Sequence, residues 1–388
     1  MRVAYVSADP NVPAFGNSTS SVAIREMCVA MLDSGLDVSL FVASRGGETP
    51  ARLAGVPVTD LRAPADGDAE TQPREAATLN GETAGALARS APFDIIYERA
   101  ARWSVAPMYY AARSSATGIL ELPAAVLHGL GDSKASLQAR ATRAFLKHSL
   151  CSARLVIAPT DEVATEAQVI AEDKANVHVV LGGCDARSLA QTSSDAGRGD
   201  FVVGYVGVLG PGAGLEILVD AFAALVATSV PHAQLLIVGD GPSRDDLVKR
   251  VARRGLQNSV TFTTNAGDDV RALLAQMNVA VAPHIEAAVT PPSSIKEYMA
   301  AGLPVVASSN VTFSAIVGHN KTGLLFQPGD VTGLASALGQ LYADPLRLRH
   351  LGHQARSYAA GHFTWGKSLE RILTLAATLP EVAPPSGG

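Results

Sequence analysis

The chain has 388 residues, of which 47% are hydrophobic and 17% are charged, and this length suggests two or three domains that can each bury a core. Its formal net charge of -5 argues against a nucleic-acid-binding protein. The absence of any apolar run of about 18 residues argues against a membrane span. The first residues are typical of a strand rather than of a signal peptide, and the three cysteines have spacings that indicate neither a disulfide framework nor a zinc site. We therefore expect a soluble cytoplasmic protein.

The first stretch of the chain is predicted to form a parallel β-α-β unit. Apolar strands are expected at Arg2–Ser7 and Leu36–Ala43, with a helix from about Val22 to Ser34 between them. This alternation is typical of parallel sheets covered by helices. The polar segment Gly46–Gly81, with its scattered Pro, Gly and Asp residues, is expected to be a variable insertion with short strands.

Charged side chains follow the next predicted strands. Tyr97, Glu98 and Arg99 stand at the carboxyl end of one strand, and GILELPAAVLHG follows as another strand and loop. Open α/β sheets bind their ligands at this edge. His128 follows in a predicted loop, where it is either a general base or an ordinary surface histidine.

The second half of the chain begins with a predicted strand, a glycine-rich turn and a helix. The turn covers Gly207–Gly214, and such a turn brings backbone amides to a phosphate group. The glycine spacing alone is a weak signal, because many loops carry several glycines.

The segment Pro291–Ala307 combines a loop, a short helix and a buried strand. Ser293 and Ser294 are expected to cap the helix Ile295–Ala301, which a Gly and a Pro then end. Glu297 would fall in the first turn, where its carboxylate complements the helix dipole. The free amides at this helix start could accept a phosphate, whereas a helix-start charge without further function is the alternative for Glu297.

The string KEYMAAGLPVVAS at 296–308 resembles the nucleotide-sugar segment of family 4 glycosyltransferases, and the strings YERA, VGDGP, TGLL and FTW resemble the same family. The resemblance covers nearly the whole chain. It implies the GT-B fold, an α/β architecture of two Rossmann-like doubly wound parallel-sheet domains that face a central cleft. The expected division is an acceptor-side domain at 1–188, a linker at 189–199, a nucleotide-sugar-binding domain at 200–362, a helix crossing back at 363–380 and a disordered tail at 381–388.

The resemblance also implies roles for individual residues. Glu297 would hold the ribose hydroxyls, and the turn Gly207–Gly210 would lie beside the phosphates. Arg99, Glu121 and His128 would line the sugar and acceptor side and are the catalytic candidates. The remaining residues expected to contact the nucleotide sugar are Gly16, Asn17, Ser18, Thr264, Asn265, Ala266, Ser293, Ser294, Ile295 and Lys296. No metal and no cofactor are expected, because the nucleoside diphosphate sugar is a substrate and the family binds it with protein charges.

Several site positions depart from the family pattern. Val208 and Ala213 stand where relatives carry the Arg and Lys that neutralise the departing diphosphate, and Val289 replaces the first carboxylate of the E-x7-E motif. Relatives without that carboxylate carry a Lys at the position of Ser294, whereas Lys296 lies two residues later. Because one preorganised donor is worth about 3 kcal/mol in such a transition state, these losses leave the activity open.

Three interpretations follow from this pattern. The favoured one is a transferase that moves a sugar from a nucleoside diphosphate to a small-molecule acceptor, in natural-product or glycoconjugate biosynthesis, with a non-standard diphosphate site. The second is a catalytically silent family member that partners or activates another transferase, so a protein partner is possible. The third is a cleft that performs another reaction on a phosphorylated or nucleotide-bearing molecule.

Overall fold

The computed structural model describes residues 1–16, 18–61, 72–128, 137–184, 201–264, 270–285 and 293–380. The chain divides into two compact units: Met1–Gly183 together with Trp365–Gly388, and Cys184–Thr364. Within the described ranges, no helix combines the length and apolar character that a membrane crossing requires.

The first unit alternates strands and helices. In chain order it contains β1 (Arg2–Ser7), α1 (Thr19–Asp33), β2 (Asp37–Val42), β3 (Val58–Asp60), α2 (Gln72–Ser90), β4 (Ile95–Arg99), α3 (Ala106–Ala112), β5 (Thr117–Glu121), α4 (Ala124–His128), α5 (Leu137–Ser152), β6 (Leu155–Ala158), α6 (Asp161–Ala171) and β7 (Val177–Val179). The described strands form one parallel sheet in the order β3-β2-β1-β4-β5-β6-β7. Apolar clusters line both faces of this sheet, as expected when helices cover both sides of parallel strands.

The second unit has the same architecture. It contains β8 (Val202–Val206), α7 (Leu215–Thr228), β9 (Gln234–Val238), α8 (Arg244–Arg253), β10 (Val260–Thr263), α9 (Val270–Leu274), β11 (Val279–Ala282), α10 (Ser293–Ala300), β12 (Val305–Ser308), α11 (Val311–Ser314), β13 (Gly323–Phe326), α12 (Val331–Ala343) and α13 (Pro345–His362). Its described strands are parallel, in the order β10-β9-β8-β11-β12-β13. The predicted class, two Rossmann-like parallel-sheet domains, is therefore confirmed.

The last helix, α14 (Trp365–Thr378), belongs to the first unit. Leu369, Ile372 and Ala376 are buried in the same apolar cluster as residues of α1. The serine hydroxyl of Ser368 donates to the carbonyl of Leu181 at 2.8 Å. The chain therefore returns to the first unit after completing the second.

Two element boundaries differ from the sequence prediction. Helix α1 begins at Thr19 rather than near Val22, because the side chain of Ser18 accepts a 3.1 Å hydrogen bond from the amide of Ser21 and caps it. The expected insertion at Gly46–Gly81 is also wrong in its second part. Helix α2 starts at Gln72, in a segment whose polar composition hides its helical character.

Candidate functional site

An ion pair lies at the carboxyl edge of the first sheet. Arg99 and Glu121 are register partners at the last positions of β4 and β5, and their side chains are 13% and 21% exposed. Tyr97 donates its hydroxyl proton to Glu121 Oε2 at 3.0 Å, and Arg99 Nη2 donates to Ser20 Oγ at 3.3 Å. Burial opposes the charge on Arg99, but Glu121 and smaller neighbouring contributions outweigh it, so the pKa of the guanidinium is raised. This corner of the sheet therefore presents a fixed, charge-compensated polar group.

A cavity of about 450 Å³ opens at the same sheet edge, within the first unit. Its charged lining residues are Asp9, Glu75, Arg99 and Arg102. Trp103 is also among the lining residues and is largely buried. A concave site of this size with a few convergent polar groups is the usual form of a small-molecule site.

The other sequence-predicted site residues that the structure describes in the first unit do not line this cavity, and they have different roles. Gly16 packs so tightly that a Cβ there would lie 2.7 Å from Pro13 Cγ, and its carbonyl accepts a hydrogen bond from Arg25. Ser18 acts as the cap of α1. The expectation that His128 lies in a loop is wrong, because it is the last residue of α4. Asn17 is outside the described residues.

The glycine-rich turn in the second unit is held by backbone contacts. Leu209 donates its amide to Asp240 O at 2.9 Å. A Cβ on Gly239 would lie 1.9 Å from Gly207 O, and one on Gly214 would lie 1.9 Å from Pro283 O. Three loops at the carboxyl ends of β8, β9 and β11 thus touch through their main chains, which is why glycine is needed there.

This turn leaves amides available at the start of a helix. Among the described residues, no hydrogen bond uses the amides of Val208, Gly210 or Gly212. Val208 is 71% exposed, whereas Ala213 is buried. Gly214 is the N-cap of α7 in a left-handed conformation, so the turn and the positive end of the helix dipole offer an anion site without cationic side chains.

Helix α10 differs in detail from the prediction. It begins at Ser293, so Ser293 and Ser294 are helical residues rather than caps, and Glu297 lies in the second turn rather than the first. Ser294, Ile295 and Lys296 are buried, and Glu297 is half-buried. Burial lowers the pKa of Lys296 to about 8, although Cys184 and Glu297 act in the opposite direction.

A group of polar side chains that sequence reasoning missed lies at the ends of β11 and β12. His284 Nδ1, Ser308 Oγ, Ser309 Oγ and Asn310 Nδ2 are buried and have no hydrogen-bond partner among the described residues. His284 packs edge-on against Phe313, with ring centroids 5.2 Å apart, and burial lowers its pKa to about 4. The rule that ligands bind beyond the carboxyl ends of strands would have pointed to these positions.

The remaining predicted contacts are only partly described. Thr264 follows β10 and is exposed. Asn265, Ala266 and Val289 lie outside the described residues. Over the described part of the chain, no group of three or more His, Cys, Asp or Glu side chains is arranged to hold a metal ion.

Two family models match the chain. The model described as glycosyl transferase 4-like domain matches residues 18–183, and the one described as glycosyl transferases group 1 matches residues 200–344. D-inositol 3-phosphate glycosyltransferase of Nocardia farcinica is 29% identical over 247 residues, 58% of this chain and 53% of that protein. 2-deoxystreptamine glucosyltransferase of Streptomyces kanamyceticus is 31% identical over 167 residues, 43% and 42% of the two chains. The chain thus spans about half the length of these relatives.

Solved structures resemble the chain over its full length. Anabaena HepE in complex with UDP has a TM-score of 0.68 at 19% identity and covers 98% of this chain and 100% of its own. A glycosyltransferase from Rickettsia africae has a TM-score of 0.71 at 15% identity, with 99% of both chains covered. At these identities the likeness concerns the fold, which is the GT-B type.

Proposed function

Because the chain belongs to the family 4-type glycosyltransferases, we propose that it moves a sugar from a nucleoside diphosphate to a small-molecule acceptor. The observation that carries the proposal is the turn Gly207–Gly214. Its backbone contacts with neighbouring loops exclude side chains, and its amides stand at the start of α7. Such an arrangement suits the diphosphate of a nucleotide sugar.

In this proposal the second unit binds the donor. Glu297 holds the ribose, and the start of α10 at Ser293 and Ser294 lies beside the diphosphate. Thr264–Ala266 meet the base. HepE has been crystallised with UDP and with UDP-glucose, so a uridine nucleotide is the first donor to test. Lys296 is our candidate for the positive charge that is missing at Val208 and Ala213.

The first unit binds the acceptor in the cavity beside Arg99. Arg99 and Glu121 orient the acceptor, and His128 remains a candidate base. The two relatives quoted above are named for small molecules, D-inositol 3-phosphate and 2-deoxystreptamine. A small acceptor in natural-product or glycoconjugate biosynthesis is consistent with the cavity of about 450 Å³. The cytoplasmic location stays a prediction.

Calorimetric titration with UDP, GDP and dTDP tests the donor half of this proposal. We expect micromolar binding of one nucleotide and at least a tenfold loss in Glu297→Ala, about 1.4 kcal/mol of binding free energy. Asp246→Asn is the matched control, since this carboxylate lies on the same unit and is 84% exposed. Failure of all three nucleotides to bind would overturn the transferase proposal and direct attention to a partner protein.

A further inference from the structure

Trp103 has a backbone conformation that a bulky residue rarely adopts. Its φ is +71°, in the left-handed region that favours glycine. Holding a non-glycine residue there is unfavourable, and such residues cluster at functional sites. The surrounding structure must therefore hold the loop in place.

Asn80 of α2 provides most of that restraint. Its Nδ2 donates to Trp103 O and to Ala76 O, both at 2.8 Å. Its Oδ1 accepts from the amides of Val105 and Ala106, both at 2.9 Å. These four bonds use every donor and acceptor of the carboxamide. One side chain thus fixes the backbone on both sides of Ser104.

A second set of bonds holds the loop from the opposite side. Ser104 donates its hydroxyl to Glu98 Oε1 at 2.5 Å, and its carbonyl accepts from Ser149 Oγ at 2.7 Å. The ring of Trp103 packs edge-on against Phe145, with centroids 5.3 Å apart. Groups from β4, α2 and α5 therefore determine one position for the indole.

Trp103 is one of the residues that line the cavity. The other lining residues include the polar side chains Asp9, Ser20, Arg99 and Arg102. Trp103 is 8% exposed, so the part of it that lines the cavity is a small apolar surface beside groups that can hydrogen-bond hydroxyls. A compact ring that carries hydroxyls, with apolar C–H faces and polar edges, matches this combination.

We propose that Trp103 is a specificity-determining residue that contacts the ring of a small polyhydroxylated acceptor, an inference that rests on the proposed function. Asn80 is the positioning residue that holds it. The cavity volume of about 450 Å³ suits an acceptor of one or two rings. A rigid wall selects for the shape of the ring, because little conformational entropy remains to be lost when the acceptor binds.

Fluorescence tests the contact without requiring turnover. The chain has two tryptophans, so Trp365→Phe leaves Trp103 as the single reporter and Trp103→Phe leaves Trp365. We titrate both variants with myo-inositol, D-inositol 3-phosphate and 2-deoxystreptamine in the presence of UDP. A saturable change in Trp103 emission with at least one probe, and none from Trp365, is the expected result. A flat Trp103 signal with all three probes, in protein that binds UDP by calorimetry, would overturn this inference while leaving the donor site intact.

Steady-state kinetics, with the probe that binds as the sugar acceptor, test the specificity role of Trp103 and the positioning role of Asn80. Trp103→Gly keeps the left-handed backbone without strain and removes the indole. We expect it to raise KM for the acceptor about tenfold, a loss of about 1.4 kcal/mol, and to leave KM for the donor within about twofold. Asn80→Asp still accepts from the amides of Val105 and Ala106 but loses both donations, to Trp103 O and to Ala76 O, so it should raise the KM for the sugar acceptor several-fold.

A double-mutant cycle separates positioning from general damage. If Asn80 acts through Trp103, Asn80→Asp has no further effect on the acceptor KM in the Trp103→Gly background. Equal effects in both backgrounds, or a change in kcat with an unchanged acceptor KM, would contradict the positioning role. Failure of the wild-type protein to bind any of UDP, GDP and dTDP would instead count against the proposed function itself.

Discussion

Arg99 and Glu121 end neighbouring strands in register and form an ion pair that is mostly shielded from water, with side-chain exposures of 13% and 21%. The pair also involves the hydroxyl of Tyr97. Such a pair sets the orientation of the charges at the sheet edge. Its contribution to stability depends on both partners being present, because an unpaired charge in this position remains desolvated.

We therefore expect Glu121→Gln to lower the free energy of unfolding by about 3 kcal/mol, since it leaves Arg99 charged and unpaired. The double variant Arg99→Met, Glu121→Leu should lose less unfolding free energy than the sum of the losses in Arg99→Met alone and in Glu121→Leu alone. Urea unfolding of the wild type, both single variants and the double variant measures this. Strict additivity would show that the two charges are not coupled.

The sequence identified this corner because it lies at the ends of regular apolar strands. The period of apolar residues predicted β1, β2 and β4, and the carboxyl-edge rule then selected Arg99, whereas Glu121 was selected by the family resemblance. The rest of the cavity depends on tertiary contacts. No local pattern shows that Trp103 has a positive φ or that Asn80, 23 positions earlier, binds its carbonyl. Likewise, α2 was missed because its packing, rather than its polar sequence, decides that it is a helix.

The glycine turn of the second unit permits a matched comparison of two glycines. Gly212 and Gly214 both have positive φ, +79° and +67°, but a Cβ on Gly212 meets nothing within 4 Å whereas one on Gly214 would lie 1.9 Å from Pro283 O. We expect Gly212→Ala to cost about 1 kcal/mol of unfolding free energy through backbone strain alone. Gly214→Ala should cost about 3 kcal/mol or more and weaken UDP binding. Thermal unfolding and calorimetry of the two variants measure this, and equal effects would contradict the close packing of these loops.

Glu98 makes the stability of the first unit depend on pH. The side chain is fully buried, and this burial raises its pKa from 4.5 to about 7, although the hydrogen bond from Ser104 acts in the opposite direction. Between pH 4.5 and 7 the folded state binds more protons at this site than the unfolded state does, so its contribution to stability falls as pH rises through this window.

Glu98→Gln should remove that dependence. It keeps an oxygen that can accept from Ser104, and above pH 7 the variant should be more stable than the wild type by up to about 3 kcal/mol. Below pH 4.5 the two proteins should differ little. Chemical unfolding from pH 4 to pH 8 measures the difference, with the exposed Glu370→Gln as control. Parallel stability curves for the wild type and Glu98→Gln would contradict the assignment.

Lys296 offers a test of how the donor site is charged. Burial lowers its pKa to about 8, so its ammonium is mostly protonated at pH 7 and mostly neutral at pH 9. If it supplies the positive charge that Val208 and Ala213 cannot, UDP affinity should fall about tenfold over this range, as expected when a charge-assisted hydrogen bond is lost. Lys296→Met should bind UDP weakly at pH 7 and show no such pH dependence, whereas the exposed Lys321→Met should behave like the wild type.

The folding stability should change with pH in the opposite direction from UDP affinity. The unfolded chain binds more protons at Lys296 than the folded one between pH 8 and 10.5, so the contribution of Lys296 to stability rises with pH there. A UDP affinity independent of pH, and equal in Lys296→Met and wild type, would make Lys296 a core residue of the second unit and leave backbone amides as the source of positive potential at the diphosphate.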